Sequence, residues 1–437
     1  MSRPRDPTND LVIRNVRVFD APAAALLAGP RDVVVRDGRI AAIGAPGIDA
    51  AGVPAIDGQG GTLLPGLVDA HTHTGGSSEP PGVGTLPDVA DNLAAFLYAG
   101  VTTALDLGGL SPAMFRERER VASGERLGPR LYVAGPIFTA PGGHPAEVLR
   151  EGLPWYLRWY VVPRATREVG TPDEARDAVT ALLRERPDML KVAIDAGAGA
   201  VPCLAPETLA AITAAGHAAG IRTIVHIGSS AEAIAAVRGG ADALAHAPWR
   251  EALSDEAVRT IAAGHVPVVA TLTVWDLLEG PRTAADFAPL EREVATPKLM
   301  THLLAPPANG VDPAVVRLVT AAHAARRQNV AKLRAAGVTV LAGSDACNPG
   351  DLPGAGLHLE LARLVEAGMP PAEALRAATS TNARFIGGDA ADFGEIAVGK
   401  RADLVVVTGD PTARIGDVDR ITHVIVGGAL LARRPRG

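Results

Sequence analysis

His71 and His73 follow a Pro65-Gly66 turn and the run Leu67, Val68, Asp69, Ala70. Residues two apart on an extended strand face the same side, so both imidazoles can enter one site. His226 ends the apolar run Thr223–His226 and His246 ends Ala243–His246, with one helical stretch, Ser230–Gly239, between them. Adjacent strands then bring both rings to the same end. Asp345 follows Val340–Ser344 at another strand end, where a carboxylate can bind a cation and accept a proton. Lys191 lies in the apolar run Met189–Ile194, where a charged ammonium is costly and its pKa should fall toward neutrality. A neutral amine reacts with CO2 to give a carbamate, an anion able to bridge two cations. Each residue has an ordinary reading: a backbone-satisfied core histidine, a helix N-cap for Asp345, a snorkelling Lys191. Six such residues at five strand ends favour one shared metal site.

The elements that must position them alternate along the chain. Strand-like runs at Leu63–Asp69, Val101–Leu107, Arg130–Ala134, Met189–Ile194, Thr223–Ile227, Ala243–His246, Val266–Thr271 and Val338–Gly343 are interleaved with helical stretches. Those stretches include Pro206–Ala219, Ser230–Gly239, Asp255–Ala263 and Pro313–Ala336. This pattern predicts an α/β chain, a (β/α)8 TIM barrel with its chemistry at the C-terminal strand ends. Both chain ends are β-rich: Leu11–Val18, Val33–Arg36 and Ile40–Ile43 at one, Gly394–Ile396, Ala402–Val407 and Thr422–Val426 at the other. They are expected to pair into a small β-sandwich, residues 1–62 with 391–437, around a catalytic barrel over 63–390. Residues 272–312, rich in Pro, Thr and Glu, read as a long loop after the seventh strand, a lid or a decorative insertion.

The bulk numbers exclude several classes. A chain of 437 residues, 47% hydrophobic and 21% charged, is ordinary globular material. A net charge of −6 argues against nucleic acid or a membrane surface as partner. The lysines are few, at 191, 298, 332 and 400. Two cysteines, Cys203 and Cys347, do not make a disulfide framework, which suits a reducing compartment. The polar start Met1–Asp6 lacks a signal-peptide pattern, and no run of eighteen apolar residues predicts a membrane span. A cytoplasmic protein acting on a small molecule, as monomer or homo-oligomer, is the expectation.

The set His71, His73, Lys191, His226, His246 and Asp345 on successive strands resembles the amidohydrolase superfamily in its binuclear form with a carboxylated lysine. Val12–Val18, Val35–Gly44 and Gly394–Val407 are similar to that family's opening and closing segments, so the likeness spans nearly the whole chain. His226 and His246 are only twenty residues apart, with Lys191 thirty-five before His226. This spacing resembles the imidazolonepropionase-like and prolidase-like branch rather than hydantoinases or dihydroorotases. The resemblance implies hydrolysis of an amide-type C–N bond in an N-acyl amino acid, dipeptide, aryl amide or urea-like substrate.

It further implies that His71, His73 and Asp345 hold one divalent ion and His226 and His246 another, with carboxylated Lys191 between. Zinc suits these donors best, with manganese, cobalt or iron as other candidates. Such ions lower the pKa of a shared water, and Asp345 carries its proton to the leaving nitrogen. Gly142, Gly143 and His144 resemble a substrate-contacting segment of the branch, so His144 is a candidate substrate residue, and Arg250 joins it as a candidate reader of the polar end. The branch often places a tyrosine two residues after the fifth-strand histidine, where this chain has Gly228. Trp155, Trp159, Tyr160, Trp249 and Trp275 near the same loops suggest either an aromatic substrate moiety or loop packing. The alternatives are a mononuclear cyclic amidase or deaminase, distinguished by metal count, and a non-catalytic barrel scaffold, distinguished by inertness toward an amide panel.

Overall fold

Hydrophobic alternation at the chain start produces β1 (Leu11–Asp20), β2 (Ala25–Leu26), β3 (Arg31–Arg36), β4 (Arg39–Gly44), β5 (Ala55–Asp57) and β6 (Thr62–Pro65). The computed structural model describes residues 9–80, 83, 87–197, 201–305 and 313–436. Met1–Asp6, part of residues 272–312 and the outermost residues of the expected terminal domain lie outside them.

After Gly66 the chain enters β7 (Leu67–Thr72) and β8 (Val101–Asp106), then β9 (Arg130–Val133), β10 (Ile137–Thr139), β11 (Thr166–Glu168), β12 (Leu190–Ala193), β13 (Thr223–His226), β14 (Ala243–Ala245), β15 (Val268–Val269) and β16 (Val340–Leu341). These strands are parallel, in two sheets ordered β7-β8-β9 and β11-β10-β12-β13-β14-β15-β16. The α/β class is therefore as expected. The last strand returns to the first: Ala70 N donates to Ala342 O at 3.1 Å and Asp345 N to His71 O at 2.8 Å. β17 (Leu404–Val407), β18 (Ile421–Val426) and β19 (Ala429–Leu430) join β1 through β6 in a third sheet, with β17 antiparallel to β6, so both chain ends share one sheet of nine strands.

Alternate residues of the parallel strands meet in one buried cluster: Ala70, Leu105, Ala134, Met189, Ile224, Ala245, Val269 and Leu341. Strand side chains repeat every two residues, so Lys191 stands one step above Met189, His226 above Ile224 and Thr271 above Val269. The inner face of the curled sheet thus leads from an apolar floor to a polar layer at the C-terminal strand ends.

Several elements differ from the sequence reading. The run Leu63–Asp69 is divided: residues up to Pro65 belong to the terminal sheet and the rest to β7. A side chain at Gly66 would put its Cβ 2.1 Å from Thr102 Oγ1, so glycine is required at this crossing. The run Gly394–Ile396 is not a strand. Pro313–Ala336 is two helices, Pro313–Ala321 and His323–Ala335.

Residues 272–312 are not a bare loop, since helices occupy Leu272–Leu277, Pro289–Val294 and Pro297–Leu304. Pro289 and Pro297 are helix starts, each in a first turn, and the Thr296 side chain accepts from Leu299 N. Residues 306–312 lie outside the described residues.

An ion cluster anchors the helix after β15. Asp276 is bonded by Arg326 at 3.0 Å, Arg327 at 2.7 Å and Arg363 at 2.9 Å. Arg326 is fully buried. Asp276, Glu279 and His323 lie close enough to suggest a cation site, but these arginines already supply its positive charge. Breaking a buried pair from one side strands the other charge, so Asp276→Ala should cost on the order of 3 kcal/mol, seen as a lower midpoint in denaturant unfolding.

Candidate metal centre

His71 is buried at the end of β7 and His73 lies just beyond it. Their Nε2 atoms are 3.3 and 3.0 Å from Asp345 Oδ1. His73 Nδ1 sits 3.0 Å from Gly108 O, a partner that only accepts, so Nδ1 carries a proton and Nε2 is the nitrogen that faces Asp345. His71 Nδ1 and Asp345 Oδ1 are buried without hydrogen-bond partners. Asp69 couples the two strands, accepting from Ser344 Oγ at 2.6 Å, Ser344 N at 3.0 Å and His71 N at 3.2 Å. Burial pushes the Asp69 carboxyl up to about 7 against these bonds. Asp345 has a φ of +73°, a left-handed conformation that a non-glycine residue adopts at a cost.

The second pair is built the same way. Thr271 Oγ1 donates to Ala270 O at 2.9 Å and therefore accepts from His246 Nδ1. His226 Nε2 lies 3.0 Å from the Asp195 carboxylate and donates to it. The remaining nitrogens, His246 Nε2 and His226 Nδ1, face each other at 2.8 Å. Both bear lone pairs, an arrangement that repels unless a proton or metal ion lies between. His246 directly follows β14, and its φ of +74° breaks the alternation that would have turned its ring from His226. Burial holds both imidazoles below the usual histidine range, His226 at about 4 with Asp195 opposing, so both are neutral at pH 7.

Lys191 lies between the two groups, its Nζ 3.3 Å from His71 Nε2. It is almost fully buried, and burial pushes its ammonium down to about 7 while Asp345 pulls the other way. Burial opposes protonation of His73 too, but Asp345 and Asp106 outweigh it and raise its pKa. The structure thus brings together His71, His73, Lys191, His226, His246 and Asp345.

His144 adjoins this group, its ring centroid 4.9 Å from that of His226 and its Nδ1 2.9 Å from Glu147 Oε1. Arg250 reaches the same wall with its terminal nitrogens bonded to Asp195, Glu232 and Gly197 O.

Sequence reading passed over Asp195 and Thr271. Asp195 accepts from His226, Trp249 and Arg250. Burial raises its pKa, but His226 and Arg250 more than reverse this and hold the carboxyl well below the usual range. Its signal, an acidic residue just past the strand carrying Lys191, was available but overshadowed by the lysine.

The aromatic residues separate into two groups. Trp249 and Trp275 stack at 4.0 Å with 9° between their planes, and Trp275 meets His246 edge-on at 5.3 Å. Trp155, Trp159 and Tyr160 lie exposed on the helix Trp155–Ala165. Cys203 and Cys347 are both free, and no helix of the described residues is long and apolar enough to cross a membrane.

The donor chemistry fits metal ions on the structure's own terms: four imidazoles, those of His226 and His246 neutral at pH 7, converge with the Asp345 carboxylate, whose buried Oδ1 is left without a hydrogen-bond partner. Comparison with known proteins agrees. The chain is similar to the ochratoxinase of Aspergillus niger, 26% identical over 403 residues that cover 84% of this chain and 75% of that one. It is also similar to the enamidase of Eubacterium barkeri, 35% identical over 128 residues covering 28% and 31% of the two chains. A solved prolidase complexed with N-methylphosphonate-L-proline superposes with a TM-score of 0.78 at 25% identity, covering 97% of this chain and 100% of that one. Residues 62–431 match the amidohydrolase family. With that match and the convergent donors, the chain belongs to the amidohydrolase family and is a metal-dependent hydrolase of amide-type C–N bonds, of the prolidase-like branch.

Proposed function

We propose that this enzyme works with two divalent ions, best suited to zinc with manganese, cobalt or iron as alternatives. His71, His73 and Asp345 would hold one ion, His226 and His246 the other, and a carbamate on Lys191 would join them. The observation that carries this reading is the pair of inward lone pairs on His226 Nδ1 and His246 Nε2, 2.8 Å apart. Carboxylation forms a bond between Lys191 Nζ and the carbon of CO2 with release of one proton, and it needs the neutral amine that burial favours. The ions when bound would lower the pKa of water and polarise the scissile carbonyl. Asp345, facing both His71 and His73, would take the proton and return it to the leaving nitrogen. We read the parallel strands as a closed (β/α)8 barrel over residues 63–390, and the shared terminal sheet as a β-sandwich of residues 1–62 and 391–437. A cytoplasmic setting, and assembly as monomer or homo-oligomer, remain part of the same proposal.

The substrate class we propose is an amide of an amino acid or aromatic amine: an N-acyl amino acid, dipeptide, aryl amide or urea-like compound. The names of the relatives support it, as does the Trp249–Trp275 stack beside His246. The test is metal analysis of the purified chain, then hydrolysis assays of the loaded enzyme on N-acyl amino acids, dipeptides, aryl amides, ureas and lactams. Two ions per chain with turnover on the linear amides is expected. One ion per chain with turnover only on lactams would favour the mononuclear cyclic amidase.

His144, beside His226, is proposed to read the substrate's polar end. Arg250 is proposed to act on the same end through the ion-pair wall it forms with Asp195 and Glu232. His144→Ala should therefore raise KM about tenfold while both ions are retained, because a lost charged hydrogen bond is worth roughly 1.5 kcal/mol or more. Arg250→Ala should raise KM as well while also weakening the ion at His226, since it strips a donor from Asp195. Unchanged kinetics on the best substrate would return both to loop packing.

A further inference from the structure

We propose that Asp195 is a positioning residue: it fixes the tautomer and orientation of His226 so that Nδ1, not Nε2, is presented to the metal centre. Asp195 is 2% exposed, and both its oxygens are fully engaged. Oδ2 accepts from His226 Nε2 at 3.0 Å and Trp249 Nε1 at 2.9 Å. Oδ1 accepts from Gly197 N at 2.7 Å and from Arg250. An ionised carboxylate has no proton to give, so His226 must donate from Nε2, which leaves Nδ1 as the lone-pair atom facing His246. Outer carboxylates of this kind fix ring orientation and increase ligand basicity.

The surroundings of Asp195 hold it rigidly. Arg250 bridges it to Glu232, whose own oxygens accept from Ala196 N at 3.1 Å, Gly228 N at 2.7 Å and Ser229 N at 2.9 Å. The arrangement also accounts for the glycine at 228. A Cβ there would lie 2.6 Å from Asp195 Oδ2 and 2.7 Å from Trp249 Nε1. Any side chain at 228, tyrosine included, would force the carboxylate and indole apart. The clamp and a side chain at that position are mutually exclusive.

The inference rests on the two-ion reading, so zinc stoichiometry of the wild-type chain is measured first, followed by zinc affinity by chelator competition on folded wild-type, Asp195→Ala, Asp195→Asn and Gly228→Ala proteins. Asp195→Ala should weaken one of the two ions by about 10- to 100-fold and leave the other unchanged. Asp195→Asn, whose amide oxygen can still accept from His226 Nε2, should recover most of that affinity. Gly228→Ala should shift the same ion in the same direction although Asp195 is present. Wild-type affinity for both ions in Asp195→Ala, or an Asp195→Asn as weak as Asp195→Ala with Gly228→Ala unaffected, would overturn the positioning role. A wild-type chain that binds one zinc overturns the underlying two-ion reading instead, before any variant is compared.

Discussion

Replacing His226 with alanine should abolish turnover while the chain stays folded. His226 is held from behind by Asp195 and faces His246 across 2.8 Å, so its loss removes one of two nitrogens that define the second ion's place. Metal-assisted stabilisation of developing charge is worth several kcal/mol. A loss of about 4 kcal/mol corresponds to a fall in kcat on the order of 10³-fold. The apolar floor of Met189, Ile224, Ala245 and Val269 does not include the ring, and Asp195 keeps Trp249, Arg250 and Gly197 as donors. The circular dichroism spectrum should therefore be unchanged while metal content drops by one ion. His71→Ala, His73→Ala and His246→Ala should behave alike, and a His226→Ala chain with full metal and near-normal kcat would end the assignment.

Lys191→Ala should lose one metal ion and at least on the order of 10²-fold in activity, because the proposed carbamate is the anion that would join the two ions. Lys191→Arg should be as inactive, since a guanidinium stays charged and repels both ions. Short carboxylic acids added to Lys191→Ala should restore part of the activity by standing in the gap, whereas they should not restore Lys191→Arg. The pH dependence has a definite sign. With burial pushing the ammonium down to about 7, the amine is protonated and unreactive below that pH and neutral above it. Bicarbonate-dependent reconstitution of metal-free enzyme should thus increase as pH rises through 7. Equal reconstitution with and without bicarbonate at pH 8, together with a fully active Lys191→Ala, would remove the carbamate.

The amino-acid order made the ligand-type residues legible because strand periodicity is a local property. His71 and His73 two apart, and Lys191 two beyond Met189, state which face of a strand each side chain takes. The twenty residues from His226 to His246 leave room for one helix and therefore for neighbouring parallel strands, as β13 and β14 are. The terminal β-segments were legible for the same reason, although the division at Gly66 was not. A continuous apolar run does not reveal that its two halves serve different sheets.

Only tertiary structure decided what each polar atom faces. Asp195 and Trp249 are fifty-four residues apart, and no periodicity encodes their bond. Thr271 looks like any strand-end threonine until its hydroxyl is found against His246 Nδ1. Arg250 looks free to read a substrate until Asp195 and Glu232 are found on its terminal nitrogens. The positive φ at His246 and Asp345, which aims both side chains into the site, is sustained by packing against propensity. The sequence by itself determined which residues can hold metal and on which strand ends they stand, because those depend on residue type and local repeat. The fold decided their protonation, tautomer and aim, because those depend on burial and on partners brought together from distant parts of the chain.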